Sequence, residues 1–278
     1  MTNKLRKSKG YIQMDNLFLC QYLGTVPRSS RLLDFLDRVC RKIAPWLRIG
    51  SYWRGHMASI ESRMNIFHLL SMVLFQGVPG EIVEIGCHAG ESTVIMQRII
   101  QELDPSRDLH AFDSFQGVPS GDFADENVYK PGDMAASELT LRKNFERLGI
   151  KQPIIHAGWF DETLPDFLPE RIAFALIDAD LYQSTLCALE ATYQRLSQGA
   201  VCLMGVYWDP QKKVALTTDM RYKSPGVKQA CDQFFADKPE KISILLAGNY
   251  TSGYFRKNFS GSSDQKTEGF IAMPILRK

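Results

Sequence analysis

A short apolar run that stops at a glycine and leads into a helix is the feature that most constrains how this chain can fold. Residues 81–86 read Glu-Ile-Val-Glu-Ile-Gly, and residues 90–103 begin Gly-Glu-Ser-Thr and continue with a helical pattern. A β-type run, a glycine turn and a helix in this order indicate a strand followed directly by a helix. Such a unit buries its strand only when further units extend the same sheet.

The same alternation recurs downstream. Further strands are predicted at 109–112, 153–156, 172–177 and 200–204, with helices at 139–148, 185–196 and 227–235. Alternating strands and helices predict an α/β fold with a doubly wound, mostly parallel sheet. Two late strands, 242–246 and 253–257, are separated by a connection short enough for an antiparallel hairpin. We therefore expect the last strand to run antiparallel to the rest.

Two helices are predicted before the first strand. Residues 31–44 form a basic amphipathic pattern, and residues 59–76 form a second helical pattern that ends at a glycine. We interpret residues 1–76 as an N-terminal helical extension and residues 77–278 as the main domain, with loop insertions at 116–133 and 206–225. The basic helix can pack on its own domain, on a second copy in a homo-oligomer, or on a membrane surface.

Composition excludes several classes of protein. Lys and Arg number 33 against 31 Asp and Glu, and this balance gives no basic stripe for a nucleic acid partner. The six cysteines include no C-x-x-C pair and indicate reduced thiols rather than zinc ligands or disulfides. The longest apolar run, 66–75, is far shorter than the ~18 residues that a membrane span needs. With no secretory signal pattern at the N-terminus, we expect a cytoplasmic protein.

The first glycine turn is predicted to bind a nucleoside. Gly86 and Gly90 have the spacing G-x-x-x-G rather than G-x-G-x-x-G, which disfavours the pyrophosphate of NAD. Asp113 ends the second strand, where a carboxylate can accept hydrogen bonds from ribose hydroxyls. Glu84 adds a second negative charge nearby, so the sulfonium nucleoside S-adenosylmethionine fits better. An ordinary strand-to-helix turn remains the structural alternative.

Aromatic and acidic residues follow the third and fourth strands. Trp159 and Phe160 can offer aromatic surface to a cation such as a sulfonium. Asp178 and Asp180 come directly after a buried strand, at the edge of the sheet where α/β folds bind ligands. Their carboxylates can bind a divalent cation or take a proton from a substrate hydroxyl. Either of them can instead cap the helix that follows.

Five motifs in this order resemble the macrocin and mycinamicin type of sugar O-methyltransferases. They occupy residues 81–92, 110–119, 157–165, 178–185 and 226–235. The resemblance implies a class I methyltransferase fold with a seven-stranded sheet, S-adenosylmethionine as methyl donor, and a hydroxyl of a bulky natural product as acceptor. The positions that match cofactor contacts of that family are Met57, Glu84, Gly86, Ser92, Asp113 and Ser114.

The chain departs from that family after the fifth strand. The family has Asp-Asp-Tyr there, which together with an acid at the position of Asp178 binds magnesium, whereas this chain has Gly205-Val206-Tyr207. We expect the magnesium site to be degraded or absent, with Asp178 as its remaining ligand and Asp209 as a hypothetical replacement. Without a metal, Asp178 and Asp180 are the candidate general bases. Residues predicted to contact the acceptor are Tyr207, Trp208 and Tyr222.

The sequence therefore predicts an S-adenosylmethionine-dependent O-methyltransferase. The acceptor is a hydroxyl of a secondary metabolite: a polyketide, a mixed peptide and polyketide product, or a macrolide sugar. A non-catalytic S-adenosylmethionine-binding or assembly subunit is the alternative, because the metal ligands are missing. An NAD-linked oxidoreductase is disfavoured by the glycine spacing.

Overall fold

A computed structural model describes residues 58–120, 125, 128–209, 224–248 and 250–258. The predicted helix 31–44 lies outside these residues, as do Met57 and Tyr222. The elements are, in chain order, α1 (Ile60–Phe75), β1 (Glu81–Ile85), α2 (Glu91–Leu103), β2 (Leu109–Asp113), α3 (Glu138–Leu148), β3 (Ile154–Ala157), α4 (Phe160–Phe167), β4 (Ile172–Ile177), α5 (Tyr182–Tyr193), β5 (Leu196–Met204), α6 (Pro225–Phe234), β6 (Ser243–Ala247) and β7 (Tyr250–Arg256).

The seven strands form one sheet in the order β3-β2-β1-β4-β5-β7-β6. Strands β1 to β5 pair in parallel, while β7 lies between β5 and β6 and runs antiparallel to both. The prediction of a mostly parallel, seven-stranded sheet with an antiparallel last strand is confirmed. The chain reverses its direction of winding between β1 and β4, and this reversal is where open α/β sheets bind ligands.

The core lies on both faces of the central strands. All six residues of β4 are buried, and four of the five residues of β1 are buried. Strands covered by helices on both faces must be apolar throughout, and for this reason they appear in the sequence as continuous rather than alternating runs. Helix α1 contributes Leu70 and Val73 to the same core. The boundary at residue 76 between an extension and a main domain stays a prediction.

Two helices differ from their prediction. The helix predicted at 185–196 ends at Tyr193, and Leu196 instead pairs with Ile172 as the first residue of β5. Helix α4 was not predicted, because it has only eight residues and contains Pro165, a residue that usually breaks helices. The placement of α4 matters for the site, since it begins directly after Trp159.

No helix within the described ranges is both long enough and apolar enough to cross a membrane.

Candidate functional site

A cavity of about 550 Å³ lies at the carboxyl ends of β1, β2 and β4. Its wall brings together most of the residues predicted for the site, although they come from four separate segments of the chain. The predicted residues that line it are Gly86, Ser92, Asp113, Ser114, Trp159, Phe160, Asp178 and Asp180. Its volume is within the range of cofactor and small-molecule sites in proteins.

Gly86 begins the turn after β1 and adopts a left-handed backbone with φ of +91°. A Cβ atom at this position would overlap the backbone carbonyl of Asp178. Glycine therefore allows the ends of β1 and β4 to approach each other and leaves the backbone open to the cavity.

Asp113 fixes this turn from the end of β2. Its Oδ2 accepts a hydrogen bond from the backbone N–H of His88 at 2.7 Å, and its Oδ1 accepts one from the N–H of Phe115 at 2.7 Å. Each carboxylate oxygen has lone pairs for a second hydrogen bond, and Asp113 lines the cavity. The carboxylate is thus held in place and can accept a hydrogen bond from a ligand hydroxyl.

The Glu84 side chain does not itself line the cavity and is fully buried. Its Oε1 accepts a hydrogen bond from Ser92 Oγ, whereas its Oε2 has no hydrogen-bond partner among the described residues. Burial raises the pKa of this carboxyl to about 7. A buried carboxylate with an unsatisfied oxygen costs free energy, which a nearby cation would offset. The site residues therefore fit a cationic nucleoside such as S-adenosylmethionine.

Glu91 also lines the cavity, and sequence reasoning missed it. Its carboxylate forms an ion pair with Arg63 of α1 and accepts the N–H of Ala58 at 3.4 Å. The interaction attaches the N-terminal helix α1 to the first turn of α2. The sequence signal for this contact is an acidic residue at the start of a helix. The signal is not specific, because many helices have an acidic residue there.

Gly90 does not line the cavity, although it was predicted to contact the cofactor. It has φ of +87°, and a Cβ atom there would lie 3.0 Å from Leu141 Cγ and 3.3 Å from Phe145 Cε2. These two residues belong to α3. Gly90 therefore lets α3 pack closely on the start of α2, and its cofactor contact stays a prediction.

Asp178 occupies space that a side chain would otherwise fill. A Cβ atom at Gly205, at the end of β5, would overlap the Asp178 carboxylate. Burial, together with the negative charge of Glu84, raises the pKa of Asp178. The absence of a side chain at 205 thus creates the seat in which this carboxylate lies.

Asp180 has a strained backbone, with φ of +60°. Its Oδ1 accepts a hydrogen bond from Tyr129 Oη at 3.3 Å, and the same hydroxyl lies 3.3 Å from Ser224 Oγ. Burial and the charge of Asp178 raise the pKa of Asp180. Left-handed non-glycine residues concentrate at functional sites. Because both pKa values are raised, Asp178 and Asp180 form an acid pair whose members bind a proton at higher pH than free carboxylates do.

Sequence reasoning missed the partners of this acid pair. Tyr129 lies in the loop after β2, and Ser224, which is fully buried, precedes α6. Tyr250 of β7 also lines the cavity. None of the three belongs to a motif with a recognisable spacing, so only the fold brings them together.

The sequence predicts that the magnesium site is degraded or absent, and this stays a prediction. Within the described residues, no group of three or more His, Cys, Asp or Glu side chains could hold a metal ion. The glycine at 205 offers no ligand, and Asp178 lies against it. Asp209 is not among the residues that line the cavity. Its role as a replacement ligand stays a prediction, as does metal binding by Asp178.

Tyr207 and Trp208, predicted to contact the acceptor, are not among the cavity-lining residues either. Tyr207 is only 5% exposed; its N–H donates to the carbonyl of Thr251 at 2.8 Å. Gly253 leaves room for its ring, since a Cβ there would lie 2.8 Å from Tyr207 Cγ. Tyr207 therefore packs β5 against β7 in this structure.

The chain matches the family model described as Macrocin-O-methyltransferase (TylF) over residues 54–231. This chain belongs to that family. The matched residues include both sides of the cavity, from Gly86 to Gly205. The resemblance seen in the sequence motifs is confirmed, and membership of a methyltransferase family implies S-adenosylmethionine as the cofactor.

Two O-methyltransferases illustrate the similarity of the chain to known proteins. The chain is 32% identical over 161 residues to the 8-demethyl-8-(2,3-dimethoxy-alpha-L-rhamnosyl)-tetracenomycin-C 4'-O-methyltransferase of Streptomyces olivaceus, covering 54% of this chain and 62% of that protein. It is 30% identical over 172 residues to the Mycinamicin III 3''-O-methyltransferase of Micromonospora griseorubida, covering 58% of this chain and 68% of that protein. The match thus spans less than two thirds of the first of these relatives.

Solved structures support the fold. The O-methyltransferase NovP superimposes with a TM-score of 0.61 at 25% identity, covering 72% of this chain and 81% of NovP. The calicheamicin methyltransferase CalS11 superimposes with a TM-score of 0.58 at 22% identity, covering 84% of this chain and 91% of CalS11. The class I methyltransferase fold predicted from the sequence is confirmed.

Proposed function

We propose that this protein transfers a methyl group from S-adenosylmethionine to a hydroxyl of a secondary metabolite. The observation that carries the proposal is the position of the Asp178 carboxylate, which shares one cavity with Asp113. One end of the cavity then has a carboxylate suited to ribose hydroxyls, and the other has one suited to an acceptor hydroxyl. The relatives named as O-methyltransferases of glycosylated natural products support the same acceptor class.

Residues on the cofactor side bind and orient. Asp113 accepts hydrogen bonds from the ribose, and Trp159 and Phe160 supply apolar wall. The buried charge of Glu84 favours a cation in the cavity. S-adenosylmethionine, when bound, supplies a methyl group that its sulfonium has already activated. The protein must then mainly align the acceptor oxygen with that carbon, at a distance of about 3 Å.

Asp178 is the catalytic base in this mechanism. An aliphatic alcohol is a poor nucleophile until its proton is removed, so Asp178 takes that proton as the C–O bond forms and the C–S bond breaks. Burial raises the pKa of the Asp178 carboxyl, which improves its match to the proton it receives. Asp180 stores a proton beside it and accepts a hydrogen bond from Tyr129.

We further propose that the reaction does not need a magnesium ion. The two positions that would supply its acidic ligands are Gly205 and Val206, and the Asp178 carboxylate is already seated against the glycine. In this proposal the acceptor proton passes to the Asp178 carboxylate. The cavity wall excludes water and positions the acceptor, a role that a metal ion would otherwise have.

A labelled-methyl assay tests both proposals. Purified protein receives S-adenosylmethionine with a labelled methyl group and a panel of macrolide sugars, polyketide alcohols and peptide and polyketide alcohols. Parallel reactions contain EDTA or added magnesium. We expect label in the product of at least one acceptor class, at rates that EDTA and magnesium change by less than about twofold.

The outcomes separate the two claims. Strong inhibition by EDTA that magnesium reverses would overturn the metal-independent mechanism while leaving the transferase intact. Binding of S-adenosylhomocysteine without transfer to any acceptor class would contradict the transferase and favour a binding subunit.

A further inference from the structure

One carboxylate from a distant loop caps two helices at the acid side of the cavity. Helices α5 and α6 both begin without a hydrogen bond from a side chain at their own N-cap residue. Asp125 supplies the missing acceptor to both of them. Its Oδ2 accepts the N–H of Tyr182 at 2.6 Å, and its Oδ1 accepts the N–H of Gly226 at 3.1 Å.

The seat of Asp125 is tight and buried. The residue is 2% exposed. A Cβ atom at Gly226 would overlap both of its carboxylate oxygens. Hydrogen bonds from backbone N–H groups to a buried carboxylate are stronger than neutral ones, and the positive ends of two helix dipoles add to them. The carboxylate therefore holds its loop, α5 and α6 in one fixed arrangement.

These three elements flank the Asp178 and Asp180 pair. Helix α5 follows Asp178 and Asp180 directly, and α6 follows Ser224 directly. The loop of Asp125 carries Tyr129, which donates to Asp180 Oδ1 and lies within hydrogen-bond distance of Ser224 Oγ. Asp125 and Tyr129 thus connect the same two regions of the chain. Asp125 binds the N-termini of α5 and α6, whereas Tyr129 contacts Asp180 before α5 and Ser224 before α6.

The base of this loop contributes to the cavity wall. Val118 donates its N–H to the carbonyl of Asp133, and Gly132 donates its N–H to the carbonyl of Val118, which closes the loop into a stem. Val118 and Met134 line the cavity. The acceptor side of the wall is therefore fixed at the stem by these backbone bonds and at the far end by Asp125.

We propose that Asp125 is a positioning residue that sets the geometry of the Asp178 and Asp180 pair by joining its own loop to the N-termini of α5 and α6. The proposal rests on the function proposed above, because Asp178 is the base of that mechanism and Asp180 lies beside it. Asp125 does not line the cavity. It acts through Tyr182, Gly226 and the loop, and its charge also raises the pKa of Asp180. Its loss should impair turnover while leaving the cofactor side of the cavity unchanged.

Two variants break the same contact from opposite sides. Asp125→Asn keeps the shape of the side chain but turns one acceptor oxygen into a donor that faces an N–H group. Gly226→Ala keeps the carboxylate but places a methyl group in its seat. Alanine is a better helix former than glycine, so a defect in this variant is not explained by a weaker α6. Asp166→Asn removes a charge from an exposed position of α4 that does not line the cavity, and it is the matched control.

Three measurements test the proposal. We expect amide exchange at Tyr182 and Gly226 to accelerate about tenfold or more when a charged hydrogen bond is lost. A displaced catalytic group should lower kcat by about 10- to 100-fold. The dissociation constant of S-adenosylhomocysteine should stay within about twofold of wild type in both variants, as should every property of Asp166→Asn. A general loss of structure would instead weaken S-adenosylhomocysteine binding in parallel.

The outcomes are distinguishable. Faster exchange with unchanged kcat in both variants would overturn the positioning role and leave only a helix cap. A parallel loss of S-adenosylhomocysteine affinity would also overturn it. A wild-type protein that transfers no methyl group would overturn the proposed function, and amide exchange would then still decide whether Asp125 holds the two helices.

Discussion

The two sides of the cavity are built in different ways. On the cofactor side, the turn after β1 is held by contacts over short stretches of sequence: Ser92 and Glu84 are eight positions apart, and His88 and Asp113 are 25 apart. On the acid side, Tyr129 reaches Ser224 across 95 positions, and Asp125 reaches Gly226 across 101. The first side is a local structure, whereas the second is an assembly of loops that only the complete fold can form.

This difference separates binding from acceptor chemistry. A turn fixed by backbone bonds to Asp113 can keep its shape while loops across the cavity change. The acid side can then adopt a new acceptor, or a new way of activating it, without disturbing the nucleoside end. The glycine at 205, where the resemblance implies an acid, is the position at which we expect such a difference. Substitutions on the two sides should therefore separate into those that affect turnover and those that affect cofactor affinity.

The largest effect is expected from Asp178→Asn. The amide has the shape of the carboxylate but cannot accept the proton of the acceptor, so kcat should fall by about 10²- to 10⁴-fold. Cofactor affinity, measured by calorimetry with S-adenosylhomocysteine, should change by less than about threefold. Asp232→Asn is the charge-matched control and should behave as wild type, because Asp232 is 59% exposed and does not line the cavity. A collapse of cofactor affinity in Asp178→Asn would show that the two sides are not separable.

Glu84 allows a test by pH. Burial raises its pKa from 4.5 to about 7, so between these values the folded protein binds more protons than the unfolded chain. The unfolding free energy without cofactor should consequently decrease as pH rises through this window, by about 3 kcal/mol from this residue. Urea unfolding at pH 5 and pH 8 measures the change.

The Glu84→Gln variant sharpens that test. Its side chain carries no charge at either pH, so the difference in stability between pH 5 and pH 8 should become smaller than in wild type. Glu102→Gln, at an exposed position of α2, is the matched control and should leave the wild-type difference unchanged. An equal pH dependence of the unfolding free energy in Glu84→Gln and wild type would contradict a destabilising buried charge on Glu84.

The sequence predicted the sheet and the cofactor side for a common physical reason. Strands such as β4 are buried on both faces, and a continuous apolar run is visible in a single window of sequence. The Gly86 turn and Asp113 are encoded in the same local manner, as a glycine where the chain must bend and an acid where a strand ends. Both line the cavity, and their contact with the cofactor stays a prediction.

The rest of the site could not be predicted, because it depends on contacts between distant segments. Nothing in the sequence near Asp125 or Tyr129 indicates which helices they will meet. Gly90 was interpreted as a ligand-binding glycine, yet the structure explains its conformation by the packing of α3. Periodicity and motifs report local geometry, whereas side-chain neighbours across loops follow only from the three-dimensional arrangement.

A more moderate effect is expected from Asp113→Asn. One charged acceptor for ribose hydroxyls is replaced by a neutral amide, so the affinity for S-adenosylhomocysteine should fall by about 10- to 100-fold. At saturating S-adenosylmethionine, kcat should remain within about threefold of wild type, since the acid pair is untouched. Asp108→Asn, at the other end of β2 and 45% exposed, is the control. A variant that loses kcat but not affinity would reverse the roles of the two sides.

The smallest effect is expected from Gly90→Ala, which asks whether this glycine serves packing or the cofactor. An alanine at φ of +87° costs about 1 kcal/mol in backbone strain, and its methyl group must also push against Leu141. Gly149→Ala is the matched control: Gly149 has φ of +63°, and a Cβ there would have no atom within 4 Å. Both variants should lose stability in urea unfolding, and Gly90→Ala should lose more, by the cost of crowding α3. If packing is the role of Gly90, cofactor affinity should stay within about twofold of wild type. A selective loss of cofactor affinity would instead show that Gly90 contributes to cofactor binding, although it does not line the cavity.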